Sequence, residues 1–135
     1  MKKIITVITL ATICFYSCNK DELDTNLNLD DDMSFTGTLE TEQSEENISE
    51  DVNLKISKGY YQCTTSLPYG YGAGIIELKG KIINFIDTAS IAIPSLYGQS
   101  YVLSGEHYYN FDGNNLEIWR EKNVGRVRYK LELED

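Results

Sequence analysis

Asn115-Leu116-Glu117-Ile118-Trp119-Arg120-Glu121 and Arg126-Val127-Arg128-Tyr129-Lys130-Leu131 decide the fold. Both stretches alternate apolar and polar side chains with a period of two, as half-buried strands do. With Lys122-Asn123-Val124-Gly125 as the loop, Leu116 meets Leu131 and Ile118 meets Tyr129 on one face. On the other face Glu117 meets Lys130, Glu121 meets Arg126 and Trp119 meets Arg128. Apolar pairs inside and opposite charges outside favour an antiparallel pair, each contributing roughly 0.2–1 kcal/mol. Arg120 opposite Val127 breaks the pattern, and its guanidinium must reach an edge or a partner.

Two hairpins upstream share a signature: Leu78-Lys79-Gly80-Lys81-Ile82-Ile83 and Phe111-Asp112-Gly113-Asn114-Asn115-Leu116. With Gly80-Lys81 and Gly113-Asn114 as two-residue loops, each places glycine first, as a type II′ turn requires. The registers pair Leu78 with Ile83, Ile76 with Phe85, Phe111 with Leu116 and Tyr109 with Ile118. A slip of one residue would turn these apolar sets to water, so the registers are specified. Residues 59–67 read as a strand with Tyr61, Cys63, Thr65 and Leu67 on one face, ended by Pro68-Tyr69-Gly70-Tyr71-Gly72. Residues 100–111 read as one strand bent at Gly105, with Tyr101, Leu103, Tyr109 and Phe111 on one parity, and residues 87–99 as a connection. The sum is an all-β domain over residues 54–135, a small antiparallel meander of six or seven strands closed into a barrel or packed as a sandwich. An eight-stranded barrel would need more chain.

Charge divides the sequence. The net charge is −9, and residues 19–53 hold twelve acids against Lys20 alone, whereas residues 54–135 hold nine acids and nine bases. High charge with low hydrophobicity cannot offset the entropy of ordering, so residues 18–53 are expected to form a disordered acidic tether. The neutral domain has no basic stripe, which argues against a nucleic-acid partner.

The N-terminus carries Lys2 and Lys3, then an apolar run over residues 4–13. About ten residues is too short for a bilayer, which takes roughly twenty, but suits a secretory signal. Phe15-Tyr16-Ser17-Cys18 resembles the looser lipobox of Bacteroidota lipoproteins. That resemblance implies a signal peptide over residues 1–17, lipid attachment at Cys18 through a diacylglycerol and an acyl chain such as palmitate, and an outer-membrane location. Asn19-Lys20-Asp21-Glu22 resembles the Lys/Asp/Glu-rich export signal of the same lipoproteins, which favours the cell surface over the periplasmic face. The strand pattern with its repeated glycine-turn hairpins resembles, loosely, the lipocalin-like domains of small Bacteroidota lipoproteins.

Chemistry is sparsely signalled. His107 is the sole histidine and Cys63 the sole cysteine beyond Cys18, with no nucleophile signature around either. Cys63 reads as a small buried hydrophobe on its strand. Zinc spacing, a phosphate-cradling glycine loop and a Gly-x-Ser-x-Gly elbow are all missing, and Asp30-Asp31-Asp32 lacks the alternation of a calcium loop. Glu106, Asp112 and Glu117 make a poor glycosidase set, since Asp112 flanks a turn and Glu117 has a charge partner. The reading is therefore non-enzymatic, with no metal and no cofactor.

Binding is better signalled. Tyr108 and Trp119 fall opposite each other on the outward face with Arg128 beside them, flanked by Glu117, Lys130 and Asn110. The competing reading is that Arg128 simply stacks on Trp119 and covers it. Tyr69, Tyr71 and Tyr97 on glycine-rich loops form a second candidate surface. Asp87-Thr88-Ala89 resembles the O-glycosylation sequon of Bacteroidota, which would place a sugar on Thr88. Asn47-Ile48-Ser49 fits the N-glycosylation pattern, which a bacterial lipoprotein gives no reason to use. The expected function is a membrane-anchored binding module for a glycan or a protein. An inhibitor or immunity-type lipoprotein with contacts from residues 68–73 and 94–99, and a structural envelope component, are the alternatives. The oligomeric state is left open.

Overall fold

A computed structural model describes residues 27–43, 46–66, 70–89, 103–122 and 125–135. The proposed signal peptide, Cys18, Tyr69, Tyr97 and most of the expected 87–99 connection lie outside the described residues. Eight strands follow in order: β1 (Met33–Gln43), β2 (Glu46–Ser57), β3 (Tyr60–Thr65), β4 (Tyr71–Lys79), β5 (Ile82–Asp87), β6 (Gly105–Phe111), β7 (Asn115–Lys122) and β8 (Gly125–Leu133). Each pairs antiparallel with the next, and β8 returns to β1, so the meander closes into a barrel.

The three expected hairpin registers are present. Leu78 pairs with Ile83 and Ile76 with Phe85, Phe111 with Leu116 and Tyr109 with Ile118, and Leu116 with Leu131 and Ile118 with Tyr129. Gly80 and Gly113 both take positive φ, 60° and 101°, which lets the chain reverse there without a Cβ clash. Asp112 reinforces its turn by accepting from the Asn114 and Asn115 backbone N–H groups at 2.9 and 2.7 Å. The last loop is tighter than expected, because Lys122 and Gly125 are themselves paired. β6 begins at Gly105, where φ is +81°, and Leu103 and Ser104 precede it without strand pairing. The glycine therefore starts the strand rather than bending it.

Two expectations are corrected. The domain does not begin at residue 54, and residues 33–53 are not a disordered tether: β1 and most of β2 lie within them. These two strands also raise the count from six or seven to eight, so the chain is long enough for an eight-stranded barrel after all. The physical reason is parity. Phe35, Leu39 and Thr41 on β1 and Val52, Leu54 and Ile56 on β2 point inward and are buried, and acids such as Glu40 and Asp51 occupy outward positions. A strand can carry that much charge when most of it is on one face; Glu50, the register partner of Leu39, is the exception, and its carboxylate accepts from the Ser66 hydroxyl. Residues 27–135 hold eighteen acids and nine Lys or Arg, so the fold itself bears the −9 charge and is not neutral.

The barrel is apolar within and charged without, the reverse of a membrane-spanning barrel, whose outer band faces lipid. Phe35, Leu39, Leu54, Ile56, Ile83, Phe85, Leu116 and Ile118 are among the buried core. Edge-to-face ring contacts join Tyr61 to Phe85 and Phe35 to Phe111, with centroids 5.0 and 6.0 Å apart.

The two ends differ. The turn end carries the tight reversals at Lys58-Gly59, Gly80-Lys81 and Gly113-Asn114, and residues 27–32 lie against it. Leu27 is buried in the core, and the Gly59 N–H donates to the Leu29 carbonyl at 2.8 Å. The loop end receives Gln43, Thr65, Asp87, Lys122 and the starts of β2, β4, β6 and β8.

β1 closes on β8 tightly at Gly37. A Cβ there would strike the Lys130 carbonyl oxygen and crowd the Leu131 Cα, so only glycine allows this approach.

Candidate functional site

The outer wall over β5 to β1 carries one continuous cross-strand row: Ile82, Tyr108, Trp119, Arg128 and Glu40 are successive register partners. Tyr108 is 50% exposed, although its ring contributes nothing to the core. It stacks on Trp119 with centroids 5.9 Å apart and planes inclined by 28°. The structure thus brings together Tyr108, Trp119 and Arg128 as the sequence predicts. Arg128, however, directs Nε to Glu117 Oε1 at 3.2 Å, and Lys130 pairs instead with Glu40 Oε2 at 3.0 Å. Register partners and ion partners differ because long side chains reach diagonally to the next pair on the same face. Tyr108, not Arg128, stacks on the indole. Asn110 and Glu117 are register partners one step along the same face, so planar polar groups border the aromatic pair.

The other candidates disperse. Tyr71 is not on a loop: it is the half-buried first residue of β4, paired with Thr64. Thr88 is exposed just beyond β5, in a turn where the Ala89 N–H donates to Asp87 Oδ1 at 2.8 Å and the Thr88 N–H to the Ala73 carbonyl at 2.8 Å. Cys63 is buried and free, and burial pushes its thiol up to about 12, so it stays protonated at physiological pH. His107 is also buried. Its Nδ1 lies 3.0 Å from the Gly105 carbonyl oxygen, and its ring packs edge-on against Phe85 and Tyr129. It serves as a core aromatic. Among the described residues no group of three or more His, Cys, Asp or Glu is placed to hold a metal ion.

A second arrangement, which the sequence signals only through one mismatch, lies inside the barrel near the loop end. Because β8 pairs with both β7 and β1, inward residues form layers across the three strands. Arg120, Val127 and Thr41 make the layer nearest the loops, and Ile118, Tyr129 and Leu39 the one beneath. Arg120 is partly buried and donates from Nη1 to the Ser104 carbonyl at 2.9 Å, which answers where its guanidinium goes. It forms no ion pair with any described residue, and burial lowers its pKa. Thr41 is 3% exposed and Tyr129 1% exposed. Among the described residues, Thr41 Oγ1, Tyr129 Oη and Arg120 Nε make no hydrogen bond. Burial drives the Tyr129 phenol well above its ordinary range and keeps it protonated. Tyr61, by contrast, donates its hydroxyl to the Leu103 carbonyl at 2.8 Å.

Comparison with protein-family models, curated proteins and solved structures finds no match. The chemistry of the two sites must stand on the chain's own geometry.

Proposed function

We propose that this chain is a lipid-anchored binding module of a bacterial outer membrane, surface-exposed and non-enzymatic, that recognises a glycan on its outer aromatic wall. The observation that supports the reading is the Tyr108–Trp119 stack, an exposed aromatic strip that the core does not require. Sugar rings offer C–H faces to such a strip and hydroxyls to the groups around it, here Asn110 and Glu117. Cys18 is the proposed lipid attachment point, with several acyl chains giving firm anchoring. Tyr108→Ala and Trp119→Ala should each abolish retention on immobilised cell-envelope polysaccharide with the circular dichroism spectrum unchanged; full retention by both variants refutes the sugar platform. Cys18→Ala should release the protein from membranes, and a variant that stays membrane-bound refutes the anchor.

One observation favours a second reading, an inhibitor or immunity-type lipoprotein with a protein partner. Tyr60, Ile75 and Ile86 are successive register partners across β3, β4 and β5, and all three are exposed, Tyr60 by 62%. An apolar row of this kind on a charged barrel suits a protein contact. Tyr60→Asp would then sensitise cells to the toxin or hydrolase that the protein blocks, and an unaltered phenotype removes this reading.

A further inference from the structure

The outer wall is hollowed beside the aromatic pair, on the side toward the turn end, into a groove of about 440 Å³. Its walls are the outward side chains of Asn115, Glu117, Lys130, Glu132 and Thr36, and its floor is strand backbone at Gly37, where β1 closes tightly on β8. These walls form two register rows, Glu117 with Lys130 and Asn115 with Glu132 and Thr36. They continue the row of Trp119 and Arg128 along the same face, because alternate residues of a strand share a side. Thr36 is the short member among long side chains, which leaves the hollow. From Trp119 to Asn115 the strand runs about 13 Å, more than one pyranose ring covers. The aromatic strip and the groove are therefore one surface, and Glu117 belongs to both.

Electrostatics narrow what this surface suits. Arg128 lies 3.2 Å from Glu117 and Lys130 lies 3.0 Å from Glu40, so the cations of the wall are already matched by carboxylates. Among the described residues Glu132 meets no cation, and its carboxylate accepts only from Asn114 Nδ2 at 3.4 Å. A carboxylate keeps several lone-pair sites for hydroxyl donors, and an ammonium keeps protons for hydroxyl oxygens. An anionic ligand would find no unmatched cation here and would be repelled by the −9 charge of the fold. Resting on the sugar-platform reading, we propose that the ligand is a neutral glycan chain of at least two rings. One ring lies against Tyr108 and Trp119. The next sits in the groove, its hydroxyls donating to Glu117 and Glu132 and accepting from Lys130.

The test uses the full chain and cell-envelope polysaccharide, separated by anion exchange into neutral and acidic fractions. Each fraction is partially hydrolysed into a ladder from monosaccharide to tetrasaccharide and titrated by calorimetry. The neutral tetrasaccharide should bind at least about tenfold more tightly than the monosaccharide, and more tightly than its acidic counterpart. Thr36→Phe fills the groove and should erase that gain with length. Glu132→Ala removes an acceptor and should reduce the gain about threefold to tenfold. Trp119→Ala should weaken binding at every length. If Thr36→Phe fails to fold, the exposed Glu132→Ala decides alone. No gain with length, tighter binding of the acidic ladder, or unaltered length dependence in the groove variants overturns the proposal, while a Trp119→Ala effect that persists leaves the aromatic platform standing. A Trp119→Ala variant that binds every length as the parent does removes the platform and this proposal together.

Discussion

The two ends of this barrel are built to opposite standards. At the turn end the reversals are short, Asp112 accepts hydrogen bonds from its own turn, and Leu27 is packed into the core beneath residues 27–32. At the loop end a guanidinium, a phenol and a hydroxyl are turned inward with donors left over. The same eight strands support both. The contrast predicts that stability is concentrated at the turn end. Polar groups that weaken a fold and persist inside it belong to function more often than to structure.

The largest test of that contrast is at the turn end. Phe35→Ala removes a fully buried ring that packs edge-on against Phe111 and should cost about 3–5 kcal/mol by urea denaturation. A loss below about 1 kcal/mol would mean that the turn end is not where stability resides. Leu27→Ala should cost about 2–3 kcal/mol, which reports whether the segment before β1 truly belongs to the core. Two tyrosines then give a matched pair. Tyr61→Phe strips the Leu103 carbonyl of its donor and should lower stability by about 1 kcal/mol. Tyr129→Phe removes a hydroxyl with no hydrogen-bond partner among the described residues and should leave stability unchanged or raise it by up to about 1 kcal/mol. Equal losses for the two would erase the distinction between satisfied and orphaned hydroxyls.

The smallest effect is acid-dependent. Hydrogen bonds from the Asn115 backbone and side chain, and from the Asn114 backbone, hold the Asp112 carboxyl below its ordinary pKa. A group depressed in the fold adds stability above its unfolded pKa of about 3.9, and that stability is lost as pH falls through the folded value. Stability measured from pH 5 downward should therefore decline less steeply in Asp112→Asn than in the parent. Identical acid limbs would show that the turn does not sense this carboxylate.

Much of the fold was legible because cross-strand pairing leaves a local signature. The β7–β8, β4–β5 and β6–β7 registers all follow from residues close in sequence, with apolar sets that a slip would expose. The β1–β2 hairpin was hidden by its outward face. Outward Glu40 and Asp51 depress the mean hydropathy of the segment, and Gly37, Thr41 and Glu50 interrupt the inward apolar series, so composition argues for disorder where parity argues for a strand. Average hydrophobicity discards the phase of the pattern, and phase is what a sheet reads. The outer aromatic row was legible for the same local reason, since Tyr108 and Trp119 sit on adjacent strands. Arg120 announced itself as a mismatch against Val127. Tyr129 sits one layer away in the hairpin the sequence already defined, but Thr41 could not be joined to them from sequence, because its place beside Val127 requires β8 to meet β1 across nearly the whole described chain.

The closure of β1 on β8 also sets a direction. β1 starts and β8 finishes at the turn end, so the chain both enters and leaves the barrel on that side. If the segment before Leu27 ties the protein to a lipid surface, the turns face that surface and the mouth is held about 20 Å further out. The end with the short reversals then serves as its base, and the part with donors to spare looks toward the medium.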